Sequence, residues 1–407
     1  MSSFRILMYC NESLGWQHIS RTVAIASSLA NALPECSILV LTDLSTIGRF
    51  KLAERVDYVH LPTLTHDFHS GPASTGLHIA LEHTLKIRRK IAHSAIKTFR
   101  PDIVLLDESL LNLPQELQRI TTHLREELPE AKLVWGLSDT LGEPEFVKRQ
   151  LRRSEVLKTF EDFADEIFVF GARSVFDLAA AYDLPPHLAD KLFYTGYLSR
   201  TTPAARRVRA EMANRNRSLP LVLLAPGGSS DDCAMVDAYL RFLESTAGEL
   251  ALQSLIAAGP AISARAKREF AARAQRLPNV ALQRFSKHKL QYVRFADLVI
   301  CSGSYNILCE VLAHRKLTLV VPSLREQPGN LCRARLFQER DWVTVIQPVE
   351  FHPSVLREIL PQLLLRGPRL VPRSRYDNVP LNGFASIAER VRALAGRVAT
   401  EHMLAVS

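Results

Sequence analysis

Two short and wholly apolar runs, Leu298–Cys301 and Leu317–Val321, flank a segment whose apolar residues Ile307, Leu308, Val311 and Leu312 recur at helical spacing. Runs this short and this uniform are buried on both faces, which describes parallel strands covered by helices. The stretch Leu298 to Ala334 therefore reads as a β-loop-α-β-loop-α unit. Both loops leave the C-terminal ends of its strands, where open α/β sheets bind ligands. Ser302, Gly303 and Ser304 form the first loop, at a helix start whose amides can face an anion. Tyr305 and Asn306 begin that helix, Glu310 lies along it, and Glu326 and Gln327 sit on the next loop. Amides for phosphates and carboxylates for hydroxyls would suit a nucleotide sugar. An ordinary βα turn with a solvated glutamate explains the same residues equally well.

The alternation extends through the whole chain. Strands are predicted at Arg5–Cys10, Ser37–Leu41, a short run ending at His60–Leu61, Ile103–Leu106, Lys132–Gly136, Glu166–Phe170 and Lys191–Gly196. Helices fit Ile19–Ala32 and Leu77–Phe99, Leu52–Val59 fits a helix and a connection, and Thr63–Leu77 reads as a long polar loop. A second series begins at Leu219–Ala225 and continues through Leu255–Ala258, Val280–Gln283, the Leu298–Val321 pair and Trp342–Ile346, with helices at Pro353–Leu365 and Pro380–Ala399. The class is α/β: two Rossmann-like doubly wound parallel-sheet domains, expected to face each other across a cleft. The predicted divisions are residues 1–200, a linker at 201–218, a second domain at 219–378, and a C-terminal helix at 379–407 that can cross back to the first domain.

Composition narrows the function. With 407 residues and 47% hydrophobic content, the chain has ample material for two or three cores. No apolar run approaches the roughly 20 residues needed to span a bilayer. The N-terminus enters a strand without a signal peptide's apolar core, so a cytoplasmic protein is expected. Six cysteines without CxxC spacing suit reduced core thiols. A net charge of +9 suits anionic ligands and permits association with the inner membrane face, but no aromatic-interleaved basic platform for nucleic acid is present. The arginine-rich helical segments, such as Arg88-Arg89-Lys90, read as solvated faces.

Chemistry falls to the loops. Gly227, Gly228 and Ser229 follow an apolar strand and precede a helix, so their amides can cradle a diphosphate. The turn matches neither GxGxxG nor a P-loop, and a tight βα connection is the plain alternative. In the first half, the loop carrying Gly15, Trp16 and His18 has the same strand-loop-helix placement. His18 can act as a general base or hydrogen-bond donor. Asp107 and Asp139 also end strands, and either can orient His18, serve as the base itself, or simply cap a turn. No HExxH, CxxC, GxSxG or DxD-type pattern appears, so no bound metal or cofactor is expected.

Three segments, ILMYCNESLGWQHISRTVAIASSLA, the PGG loop and GSYNILCEVLAHRKLTLVVPSLREQ, taken in order, resemble glycosyltransferases related to the peptidoglycan lipid-intermediate N-acetylglucosaminyltransferase. That family opens its first domain with an LGLGH loop and builds its donor site from a GYNTxCE helix and a PRxxxxEEQ loop. The resemblance spans nearly the whole chain. It implies a GT-B fold with a sugar-nucleotide donor in the second domain, and transfer with inversion and without a bound metal. It also implies that Gly227, Gly228 and Ser229 hold the donor diphosphate, that Ser302, Gly303, Ser304, Tyr305 and Asn306 lie beside the donor, that Glu310 takes the ribose hydroxyls, and that Glu326 and Gln327 take the transferred sugar. His18 falls on the acceptor side. The chain departs from the pattern at Trp16-Gln17, where the family has Leu-Gly, and at Ser304, where it has glycine.

The sequence thus predicts a hexosyl- or N-acetylhexosaminyl-transferase moving a sugar from a nucleotide-diphosphate donor, a UDP-sugar, to an acceptor hydroxyl on a natural product, glycan or lipid-linked molecule. A sugar-nucleotide 2-epimerase or hydrolase, or a non-catalytic nucleotide-sugar-binding protein, are the alternatives on the same scaffold.

Overall fold

The computed structural model describes all residues except 1–3, 12–15, 46, 68–70, 75–76, 154–155, 201–203, 229–230, 247–248, 260–261, 284–288, 324–327, 366–377 and 407. The chain divides into two compact units, Met1–Leu198 together with Asn382–Ser407, and Ser199–Leu381.

The first unit is built on strands β1 (Phe4–Cys10), β2 (Cys36–Thr42), β3 (Val56–His60), β6 (Ile103–Asp107), β7 (Lys132–Ser138), β8 (Glu166–Phe170) and β9 (Leu192–Tyr194), with a separate hairpin β4 (Leu64–Asp67) and β5 (Gly71–Ser74). The large sheet is wholly parallel, in the order β3-β2-β1-β6-β7-β8-β9. Its central strands are buried from end to end, which is why they read as unbroken apolar runs. Strand order reverses between β1 and β6, and at such a switch point the flanking loops part and leave a crevice. Helices α1 (Trp16–Ala32), α2 (Leu81–Phe99) and α3 (Pro114–Glu127) cover the sheet.

The second unit repeats the scheme with β10 (Leu221–Ala225), β11 (Gln253–Ala257), β12 (Val280–Gln283), β13 (Leu298–Cys301), β14 (Leu317–Val320) and β15 (Thr344–Val345), parallel in the order β12-β11-β10-β13-β14-β15. Its switch point lies between β10 and β13, where Ala225 pairs with Cys301. The core joins Val222, Leu224, Ile256 and Ile300 from the sheet to Val236, Tyr239, Leu240 and Leu360 from its helices.

The two doubly wound parallel sheets are those expected from the alternation, and several local details differ. The short strand expected to end at His60–Leu61 runs over Val56–His60, reaching into the stretch given to a helix and connection; only Val56 of V-D-Y-V-H is buried, the pattern of an edge strand. The polar stretch after Thr63 contains the β4–β5 hairpin. The helix expected from Leu77 begins at Leu81, and residues 201–218 include a helix, Arg206–Ala213. Arg88 is fully buried rather than solvated. It donates to Asp43 (3.1 Å), Glu116 (3.1 Å), Asn11 (2.8 Å) and the Pro62 carbonyl (2.7 Å), so a lone cation in the interior is matched by two carboxylates. All six cysteines are free thiols. The last helix, Gly383–Val406, packs against α1, and Arg390 pairs with Glu166 at the start of β8. Gly383 is obligatory there, since a Cβ would lie 2.6 Å from the Gly196 carbonyl oxygen. Among the described residues, no helix is long and apolar enough to cross a membrane.

Candidate active site

At the switch point of the first sheet, β6 ends in Asp107 and α1 presents His18. Nδ1 of His18 lies 2.8 Å from Asp107 Oδ1, and both residues are buried. The same Nδ1 lies 3.1 Å from Arg21 Nη2, so a carboxylate, which only accepts, and a guanidinium, which only donates, both face it. One helical turn on from His18, Arg21 donates to Asp107 Oδ2 (2.7 Å), Glu108 Oε1 (3.0 Å) and Ser138 Oγ (2.7 Å). Glu108 in turn accepts from the amide and hydroxyl of Ser138, each at 2.6 Å. The Arg21 guanidinium lies 4.9 Å from the centre of the Phe170 ring. Asp107 is also fixed from its own backbone side, by the Ser109 amide at 2.9 Å.

Burial alone would raise the Asp107 carboxyl. His18 and Arg21 outweigh it and hold the group far below the usual carboxylate range. The cluster sets two carboxylates, Asp107 and Glu108, against the one guanidinium of Arg21.

Asp139 is also buried, but it packs against Gly171, where a Cβ would lie 2.6 Å from its own. The structure sets Asp107 on His18, and Ser138 joins the cluster. Arg21, Glu108 and Ser138 escaped the sequence reading. Arg21 could have been found from its spacing to His18, since i and i+3 share a helix face.

In the second unit the turns after β10 and β13 leave adjacent strand ends. At Gly227 a Cβ would stand 2.1 Å from Ser302 Oγ, so the two turns approach closely here and a side chain would force the hydroxyl to move. Gly303 adopts φ +77°, and a Cβ there would also meet Val320 at 3.0 Å. Ser304 is the N-cap of the helix Tyr305–His314, with no side-chain capping bond. The hydroxyl of Ser302 is buried without a hydrogen-bond partner among the described residues.

Arg333, also missed from sequence, is buried with its guanidinium 5.3 Å from the Tyr305 ring centre and donating to Asn330 Oδ1 at 3.1 Å. The Gly228 amide is already engaged, by Asp232 Oδ2 at 2.9 Å. Asp232 is itself buried, and Gly259 makes room for its carboxylate. Lys289, pulled down by burial, donates to the Pro226 carbonyl at 3.0 Å. A cavity of about 140 Å³ beside these turns is lined by Asp231, Asp232, Ser302 and Ser323. Its two carboxylates suit hydroxyl groups better than phosphate oxygens.

Glu310, on the same helix as Tyr305 and Asn306, is buried and accepts the Arg200 amide at 2.9 Å. Burial raises its carboxyl to about 7 against the weaker pull of Arg200. The neighbouring His314 is pushed down to about 4 by burial, with Arg294 and Lys316 adding to the effect. Gly15, Ser229, Glu326 and Gln327 lie outside the described residues, and Trp16 is described only as the first residue of α1.

No protein-family profile matches the chain, and no curated protein is significantly similar to it in sequence. Solved structures are similar over its full length. The calicheamicin glycosyltransferase CalG4 superposes with a TM-score of 0.63 at 16% identity, covering 98% of this chain and 100% of that one. MurG of Acinetobacter baumannii gives 0.58 at 13% identity over 96% and 99%. A Listeria monocytogenes protein described as a UDP-N-acetylglucosamine 2-epimerase gives 0.59 at 12% identity over 97% and 96%. The chain has the fold of these proteins, the two-Rossmann-domain GT-B fold.

Proposed function

We propose that this protein is a glycosyltransferase that moves a sugar from a nucleoside-diphosphate donor, a UDP-sugar, to an acceptor hydroxyl, with inversion at the anomeric carbon and without a bound metal. The observation that carries the reading is the buried His18–Asp107 pair at the C-terminal edge of the first sheet, 2.8 Å apart. In this reading His18 abstracts the acceptor proton as the hydroxyl attacks. Asp107 holds the imidazole tautomer, and Arg21 fixes Asp107.

The leaving diphosphate gains negative charge as the anomeric bond breaks, so the group that holds it must be positive and already in place. The Ser302–Ser304 turn supports this role through its helix start, the unpartnered Ser302 hydroxyl and the nearby Arg333 guanidinium. Gly227 contributes by allowing the close approach of the first turn, and Gly228 is held by Asp232. Glu310, with Tyr305 and Asn306 on the same helix, takes the ribose, and Glu326 and Gln327 take the sugar. Gly15, Trp16 and Ser229 complete the loops, Trp16 beside the acceptor. The acceptor is a small molecule, glycan or lipid-linked alcohol, met in the cytoplasm or at the inner membrane face. The domain divisions proposed remain those of the sequence, with the last helix belonging to the first domain.

A thermal-shift panel of nucleoside diphosphates and sugar nucleotides, followed by product analysis with an acceptor series, tests the reading. Transfer of the sugar with release of the nucleoside diphosphate is expected, and His18→Ala should abolish transfer while keeping the ligand-induced shift. Stabilisation by nicotinamide dinucleotides alone would overturn it. The 2-epimerase among the similar structures favours a second reading. A new sugar nucleotide formed from donor alone, with no acceptor, would decide for it, and donor binding without any turnover would indicate a binding protein.

A further inference from the structure

Outside the candidate site, α2 and α3 pack side by side and gather three ligand-type side chains that are dispersed in the sequence. His93 on α2 faces His123 and Glu127, which lie one turn apart on α3. His93 Nε2 and His123 Nδ1 lie 3.9 and 3.7 Å from the same oxygen, Glu127 Oε1. One donor atom from each of the three residues lies within 4.8 Å of the other two. The imidazole rings stack with their centres 3.7 Å apart. His123 is the anchored member, its side chain 12% exposed against 48% for His93 and 35% for Glu127.

We propose that His93, His123 and Glu127 form a binding site for a divalent transition cation of the zinc type, which clamps α2 to α3. Two imidazoles and one carboxylate select such a borderline cation over magnesium or calcium, which prefer all-oxygen sets. Metal–ligand distances of about 2.0–2.1 Å in tetrahedral geometry require ligand atoms roughly 3.3 Å apart. Rotation of the exposed His93 and Glu127 side chains onto the fixed His123 closes that gap, and water takes the fourth position. Lys97 Nζ, 3.6 Å from the same Glu127 oxygen and 62% exposed, is the cation that the metal displaces. The two helices are already tied at Arg88 and Glu116, so the metal adds a second tie nearer their C-terminal ends.

The test uses the full chain, stripped with EDTA and titrated with zinc chloride by calorimetry and by thermal melting. One zinc per chain and a melting temperature that rises with zinc but not with magnesium are expected. His93→Asn, at an exposed position that leaves the fold intact, should weaken zinc binding at least about tenfold, and Lys97→Met should strengthen it. Absence of zinc binding by the wild-type chain, or unchanged binding by both His93→Asn and His123→Asn, would overturn the proposal. Neither outcome depends on glycosyl transfer.

Discussion

Replacing Ser302 by alanine separates what the site does for folding from what it does for a ligand. The Ser302 hydroxyl is buried and has no hydrogen-bond partner among the described residues, although it sits between the two turns at the switch point of the second sheet. A buried hydroxyl without a partner costs about 1–3 kcal/mol relative to a satisfied or absent one. Removing it leaves the Cβ in place, so little packing is lost and the adjacent Gly227 is relieved of its nearest neighbour. Ser302→Ala should therefore stabilise the ligand-free protein by about 1 kcal/mol, which for a unit of this size raises the melting temperature by about 2–4 °C. If the hydroxyl is retained because it donates to a donor phosphate, the same change should weaken nucleoside-diphosphate binding by about tenfold, the loss of one charge-assisted hydrogen bond. Paired thermal melts, with and without UDP, read both effects on one sample. A melting temperature that falls in the apo protein, or a UDP-induced shift equal to that of the wild type, would refute the reasoning.

Three further substitutions probe the electrostatics. Asp107→Asn should remove about 2 kcal/mol of stability at neutral pH, as measured by urea unfolding, because Arg21 and His18 lose a charged acceptor while Glu108 still faces the guanidinium. Because the folded state depresses this carboxyl, its contribution is complete above the unfolded pKa and is lost only as the pH falls, so the deficit of the variant should narrow in acid. Glu310 has the opposite sign. Its carboxyl is raised to about 7, so the wild type should lose stability as the pH climbs from about 4.5 to 7, while Glu310→Gln keeps an acceptor for the Arg200 amide and should be more stable above pH 8 by up to about 3 kcal/mol. A parallel pH dependence in the two proteins would contradict the burial argument. Asp232→Asn likewise keeps an acceptor for the Gly228 amide but removes a buried negative charge from the first turn. UDP should bind it several-fold more tightly, by about 1 kcal/mol, and weaker binding in calorimetry would show that the carboxylate assists the ligand instead.

The sheets were readable because parallel strands buried on both faces leave a signal that survives without context: LVLLA and LVIC can hardly be anything else. Only the end of Val56–His60 was readable, since an edge strand with one buried residue carries no such run. The site was half readable. His18 and Asp107 could be nominated separately because each stands where a strand meets its loop, although 89 positions separate them. Nothing in the sequence distinguished Asp107 from Asp139 as the partner. The 2.8 Å contact that sets Asp107 on His18 depends on how β6 and α1 come together in the fold. Charged residues were the hardest to read. Arg21, Arg88 and Arg333 look like solvated helix positions in the sequence, and their burial depends on carboxylates and carbonyls contributed from other elements. Asp232 shows the reverse difficulty: an acidic residue at the start of a helix closes on the amide of the turn before it.

The central claim is that the turns after β10 and β13 hold the diphosphate of a sugar nucleotide. A crystal structure of the chain with bound UDP tests it most directly. The account predicts phosphate oxygens within hydrogen-bond distance of the Ser302 hydroxyl and the first amides of the helix that begins at Tyr305. A diphosphate lodged away from both turns, with the Ser302 hydroxyl still unpartnered, would contradict it.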